Sequence, residues 1–180
     1  MTAILDELRQ ALIQADNERA ARLVESITRA RRIFVAGAGR SGLMMKGFAM
    51  RLMHLGLNVS VVGETVTPGM TDGDLLLIGS GSGATASLVN YAATARTIGA
   101  TIALLTIQAD SPIGRMADII LTIPAPTPKI DQAPVVRSVQ PMGSLFEQAL
   151  MVTLDALVLM LMAETGRDAK TMFAYHANLE

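Results

Sequence analysis

An α/β fold, with a five-stranded parallel sheet sandwiched between two layers of helices, is what this sequence predicts on three observations. Five short runs rich in branched aliphatic residues recur along the chain. Mostly helical segments ending in glycine separate them, and two of the strand-to-helix turns are dense in glycine and serine. Alternating strands and helices form a parallel sheet covered on both faces, because each crossover lays a helix against the sheet.

Each element has its own signal. Leu5, Leu8 and Leu12, then Leu23, Val24 and Ile27, recur at helical spacing and predict two N-terminal helices, with Asn17 as the cap between them. The period then changes. Ile33 to Ala36, Val59 to Val62, Leu75 to Ile78, Ile102 to Thr106 and Ile119 to Ile123 predict the strands, and Gly56 and Gly99 end helices between them. Ser111-Pro112 sets a capping hydroxyl before a proline at a first helical position, which starts a short helix ahead of the last strand. Five of the seven prolines stand between Pro124 and Pro141, predicting a long irregular loop of the kind that covers sites. From Ser144 to Ala163 the chain is a helix apolar on nearly every face. It needs burial all round, which packing against a second copy supplies, so a homo-oligomer, dimer or tetramer, is expected through this C-terminal helix.

Composition narrows the function. The 180 residues suit one domain, expected to span 1–180. Hydrophobic residues make up 51%, with 12 Met and 3% aromatics, so the core is aliphatic and the apolar excess belongs at subunit contacts. A net charge of −1 without a basic run gives no field for nucleic acid. With no cysteine there is neither a disulfide nor a thiolate zinc site, no other metal-ligand cluster emerges, and the cytoplasm is the expected compartment. Met1 to Asn17 alternates apolar and charged residues, unlike a signal peptide. The uncharged stretch from Leu75 to Ala95 is cut by Gly79, Gly81 and Gly83, and the apolar stretch after Gln148 is broken by Asp155, so no membrane span is expected.

The glycine-rich turns carry the chemistry. In an open α/β sheet, ligands bind beyond the carboxyl ends of the strands, where helix N-termini offer free amides and a positive dipole end. Gly37-Ala38-Gly39-Arg40-Ser41-Gly42 comes directly after the first strand; Gly39 allows close backbone approach to an anion, and Arg40 and Ser41 can contact it. The same segment fits the dinucleotide fingerprint, with Glu64 placed as the ribose-binding carboxylate. A nicotinamide-dependent oxidoreductase is therefore one reading. The second segment, Gly79-Ser80-Gly81-Ser82-Gly83-Ala84-Thr85, adds the hydroxyls of Ser80, Ser82 and Thr85 around Gly81 and suits a compact phosphate dianion. Taken singly, either loop could consist of helix caps and chain turns; two at strand ends favour a ligand.

The order GAGRSG, helix to RLMHLG, strand, then DLLLIGSGSGAT and its helix resembles the sugar isomerase (SIS) domain, a flavodoxin- or Rossmann-like fold, over most of the chain. QPMGSLFEQAL and the closing HANLE resemble one branch, the 6-phospho-3-hexuloisomerases. The resemblance implies an intramolecular oxidoreductase without a cofactor, which interconverts D-arabino-3-hexulose 6-phosphate and D-fructose 6-phosphate in the ribulose monophosphate pathway of formaldehyde assimilation. Its partner is a small sugar phosphate, gripped by the second loop's serines and threonine.

Proton transfer alpha to a carbonyl needs a base. By residues alone Ser144-x-x-Glu147 is a capping box; by the resemblance Glu147 is the catalytic base. His176, close to the chain end, would otherwise be a solvated histidine; the resemblance makes it an acid that opens or polarises the sugar, in its own or a neighbouring subunit's site. Tyr175 stands where that branch commonly has a basic residue. His54 reads as a helix-end or packing residue, Asp72 and Asp74 as a solvated turn away from the site. A sugar-phosphate sensor that binds without reaction is a third reading.

Overall fold

A computed structural model describes residues 1–14, 16–129 and 137–179. The middle of the proline-rich loop, with Pro134, and the last residue of HANLE, Glu180, lie outside the described residues. Two helices open the chain, α1 (Thr2–Leu12) and α2 (Asn17–Arg29). The cap of α2 is Asp16 and not Asn17: the Arg19 N–H donates to its carboxylate at 3.0 Å. Aspartate serves this position as well as asparagine, because either oxygen satisfies an amide with no helical acceptor.

Five strands come next, β1 (Ile33–Gly37), β2 (Val59–Val61), β3 (Leu75–Gly79), β4 (Thr101–Thr106) and β5 (Ile119–Thr122). All neighbours are parallel and the order is β2-β1-β3-β4-β5. Each strand lies within two residues of its aliphatic run. Helix α3 (Gly39–His54) leaves β1, and α4 (Ala86–Ile98) leaves β3 and ends at Gly99, whose φ of +86° closes the helix. The helix expected after Ser111-Pro112 contracts to a 3-10 turn, Gly114–Met116. The residue at its cap position is Ile113, not Ser111, but the Ser111 hydroxyl still serves the turn, with the Gly114 N–H donating to Ser111 Oγ at 3.1 Å.

Alternation along the strands builds two cores. Val35, Leu77 and Ala103 face one way and pack with α1, α2, α3 and the long helix α5 (Ser144–Thr165). Phe34, Leu76 and Ile102 face the other way, against α4. The result is the three-layer sandwich that the pattern predicts.

Helix α5 buries Leu150, Leu154, Leu157 and Leu161 on α1, α2 and α3, while Met151, Val152 and Leu159 stay exposed. Burial on every side is therefore not reached within one chain. By length and composition α5 could cross a membrane; here its inner face belongs to the larger core.

Asp72 and Asp74 precede β3, at the end of the sheet away from the glycine-rich loops. Asp74 is not solvated, however. It is 1% exposed and accepts from Arg32 Nη2 at 2.8 Å, Thr71 N at 2.7 Å and Thr71 Oγ1 at 3.0 Å. Burial opposes its charge, but the bonds from Arg32 and Thr71 prevail and hold the carboxyl below the usual aspartate value. A buried carboxylate needs such partners, and Arg32, directly ahead of β1, meets it across the sheet.

Candidate active site

Strand order reverses direction between β1 and β3, which opens a crevice at their carboxyl ends. Both glycine-rich loops leave the sheet there. Gly37 and Gly42 let β1 and α3 touch: a Cβ on Gly42 would lie 2.7 Å from the Gly37 carbonyl oxygen, and Gly39 starts the helix at φ +56°. The second loop is pinned from behind. The Ile107 N–H and Thr106 Oγ1 both donate to the Gly81 carbonyl at 3.0 Å, and the Ile113 N–H donates to the Gly83 carbonyl at 3.0 Å. A Cβ on Gly81 would sit 3.3 Å from the Phe146 ring, so the loop rests directly on the first turn of α5.

Fixing the backbone in this way leaves side-chain hydroxyls over. Ser82 Oγ takes the Ala84 N–H at 3.3 Å, but among the described residues the hydroxyls of Ser41, Ser80 and Thr85 have no hydrogen-bond partner. Thr85 is the cap residue of α4, yet its side chain makes no cap bond, and α3 is capped by Ala38, which has no side chain to do so. Capping thus does not account for these hydroxyls. The two helix N-termini also leave amides without intrahelical acceptors, the setting that favours an anion.

One cavity of about 420 Å³ joins the loops to the start of α5. Gly39, Arg40, Ser41, Ser80, Gly81, Ser82 and Thr85 line it together with Glu147, so eight of the nine residues singled out from sequence share one space. Glu147 is not a cap either. Gly143 occupies the cap position without a side-chain bond, and Ser144, already the first residue of α5, accepts from Arg40 Nη1 at 3.1 Å. The same Arg40 nitrogen lies 3.0 Å from Glu147 Oε2. This contact joins opposite charges without hydrogen-bond alignment, since Oε2 is buried and accepts no hydrogen bond among the described residues. The carboxylate is thus oriented by a cation and still has lone pairs to offer.

His176 is the ninth. It stacks on His54, ring centroids 5.6 Å apart, and on Phe173, also at 5.6 Å. His54 is the last residue of α3, whose first residue borders the cavity, and 16 helical residues span about 24 Å. Within one chain, then, the histidine stands at the far end of α3 from Glu147. His54 itself is buried; burial first, then Arg51 and His176, push its pKa below the ordinary histidine value.

Sequence reasoning missed Thr127 and Lys129, which bring the proline-rich loop to the cavity rim. A lone lysine in such a loop is ordinarily solvated, and no spacing marks it. Glu64, the candidate ribose ligand, pairs with Lys46 at 2.6 Å and does not line the cavity. Among the described residues, no group of three or more His, Asp or Glu side chains is placed to hold a metal ion.

Comparisons with known proteins give the family. The SIS domain model matches residues 26–152. The chain is 50% identical to the 3-hexulose-6-phosphate isomerase of Bacillus subtilis over 98% of its own length and 95% of the relative's. To the Mycobacterium gastri 3-hexulose-6-phosphate isomerase it is 44% identical, over 100% and 89% respectively. A Methanococcus jannaschii crystal structure, from which a molecular function of 3-hexulose-6-phosphate isomerase was inferred, superposes with a TM-score of 0.86 at 30% identity, covering 99% of this chain and 98% of that one. The chain belongs to the SIS domain family, in the branch of the 3-hexulose-6-phosphate isomerases.

Proposed function

We propose that this chain isomerises D-arabino-3-hexulose 6-phosphate to D-fructose 6-phosphate through an enediol, and that residues 1–180 act as one SIS domain in the cytoplasm. One observation carries the reading: unpartnered hydroxyls at two helix N-termini line the same cavity as Glu147, whose carboxylate has an oxygen that accepts no hydrogen bond among the described residues. The first arrangement suits a phosphate dianion and the second a base.

Gly39, Ser41, Ser80, Gly81, Ser82 and Thr85 grip the phosphate and so fix the carbon chain in the cavity. Glu147 removes the proton from C2, the electron pair forms the C2–C3 double bond of the enediol, and the C3 carbonyl oxygen gains a proton. The O2 proton then leaves and C3 is protonated, which places the carbonyl at C2. Nothing is oxidised overall, so no cofactor is needed. Arg40 steadies Glu147 and supplies positive charge to the oxygens on which negative charge develops. His176 acts in a neighbouring subunit's cavity, donating to the sugar. This requires a homo-oligomer, for which the exposed Met151, Val152 and Leu159 of α5 provide an apolar contact.

The test is to incubate purified protein with 3-hexulose 6-phosphate and follow fructose 6-phosphate through coupling enzymes. Absence of product at high enzyme concentration overturns the reading.

A further inference from the structure

Helix α1 packs on α5 through a buried face that includes Ala11, and Glu7 lies one turn earlier on that face, 8% exposed. Packing alone calls for an apolar residue there. The carboxylate instead gathers three donors from a segment more than 130 residues away. Ser138 Oγ donates to Oε2 at 2.6 Å, the Val139 N–H to Oε1 at 2.7 Å, and Gln140 Nε2 to Oε2 at 3.0 Å. These bonds, Ser138 first, hold the Glu7 carboxyl below the usual glutamate value, so it is ionised at neutral pH.

The chain runs from that segment straight into the active-site rim. Pro141, Met142, Gly143 and Ser144 line the cavity, and Gln148, the neighbour of Glu147, donates from Nε2 to Gln140 Oε1 at 2.8 Å. Met142 has φ +58° and is the one non-glycine residue with positive φ among the described residues. Such a conformation is strained for a residue with a side chain and persists only where the surroundings enforce it. The chain on its N-terminal side is held by Glu7, and on its C-terminal side by α5.

We propose that Glu7 is a positioning residue for catalysis: by clamping residues 138–140 to α1 it enforces the strained turn at Met142, which places Glu147 opposite the phosphate loops. The proposal rests on the isomerase reading for its kinetic consequence but not for the clamp. The phosphate loops belong to other elements, so loss of the clamp should spare anion binding and impair proton transfer.

Glu7→Ala should lower kcat about 10- to 100-fold, the scale of a misplaced catalytic group. KM and the inhibition constant of inorganic phosphate should stay within about threefold, as expected for an effect confined to the transition state. Amide hydrogen exchange should accelerate across 139–147 and not across 79–86. Adding Met142→Gly, which removes the cost of positive φ, should recover part of the lost kcat. The proposal is overturned if Glu7→Ala keeps kcat within about twofold, or if phosphate inhibition weakens in step with kcat. Unchanged exchange across 139–147 also overturns it. Were the wild-type enzyme inactive on 3-hexulose 6-phosphate, the functional reading would fall, and the exchange data alone would decide the clamp.

Discussion

Asp74 and Glu147 lie toward opposite ends of one sheet, and the difference between them separates a carboxylate closed off by donors from the one we propose as the base. Asp74 is closed off: Thr71 and Arg32 supply donors to Oδ2, and Arg32 and Arg31 approach Oδ1 at 3.3 and 3.5 Å. Glu147 has Arg40 at 3.0 Å from an oxygen that accepts no hydrogen bond. A buried group of the first kind has no lone pair to give a substrate, and freeing one would cost stability. The second keeps its capacity for proton transfer and relies on a neighbouring cation and the cavity wall for orientation. Each end also has its own cavity, but the one beside Asp74 is lined by paired charges such as Glu25 with Arg29, whereas the one at Glu147 is lined by hydroxyls left open.

Exchanging the two acids for neutral residues breaks the comparison most directly. Glu147→Gln should lower kcat about 10²- to 10⁴-fold, the usual contribution of a positioned base, while the melting temperature barely moves. Near-normal turnover would remove Glu147 from the mechanism. Asp74→Ala should do the reverse. Removing the carboxylate leaves the Thr71 and Arg32 donors without their acceptor and costs about 1–3 kcal/mol, read as a fall in urea midpoint, with kcat/KM of the folded enzyme unchanged. Because the folded carboxyl titrates below the unfolded one, its stabilisation is complete above the unfolded aspartate pKa and fades as pH falls through the lower folded value. The gap between wild type and Asp74→Ala should therefore be widest near neutral pH and narrow only once the pH falls below the unfolded aspartate value. A gap that widened in acid would show that the ion pair is not the cause.

His176 sharpens the comparison from the other side, since it stands beside His54 and not beside Glu147 in its own chain. Mixing Glu147→Gln with His176→Ala, each poorly active alone, should restore activity in hybrid oligomers in which one intact site draws its two groups from different subunits. Failure of the mixture to exceed the sum of its parts, despite proven subunit exchange, would exclude a shared site.

Much of this was legible in the sequence, and the legible part is local. The aliphatic runs mark β1 to β5 because a strand buried on both faces needs apolar side chains in both directions, and Gly37, Gly39 and Gly42 mark a turn where backbone meets backbone. That the Ser111 hydroxyl serves a helical turn was readable, but the position and length of that turn were not, because a 3-10 turn and a helix begin alike. The features that escaped depend on distance along the chain. Asp74 looks like a turn residue until Arg32, 42 positions earlier, is brought beside it. Lys129 and Glu7 gain meaning only when their elements meet the cavity and the 138–140 segment. The apolar pattern of Ser144–Thr165 was plain, whereas the faces α5 leaves exposed depend on where α1, α2 and α3 happen to cover it.

The smallest effect concerns Lys129. It sits exposed on the rim of the cavity, and among the described residues no carboxylate pairs with it, in contrast to Lys46, which is tied to Glu64 outside the cavity. A cation at the mouth of a site that takes a dianion adds attraction, but water screens it, so its worth is about 1 kcal/mol or less. Lys129→Met should therefore raise KM only about threefold at low salt with kcat unchanged, and the difference should shrink as the Debye length falls to about 3 Å near 1 M salt. Lys46→Met removes the same charge from the same protein without touching the cavity, so any general effect of net charge appears in both variants and cancels. If the two variants shift KM equally, the loop lysine is a spectator, and the anion is held by the hydroxyls and amides of the two glycine-rich turns alone.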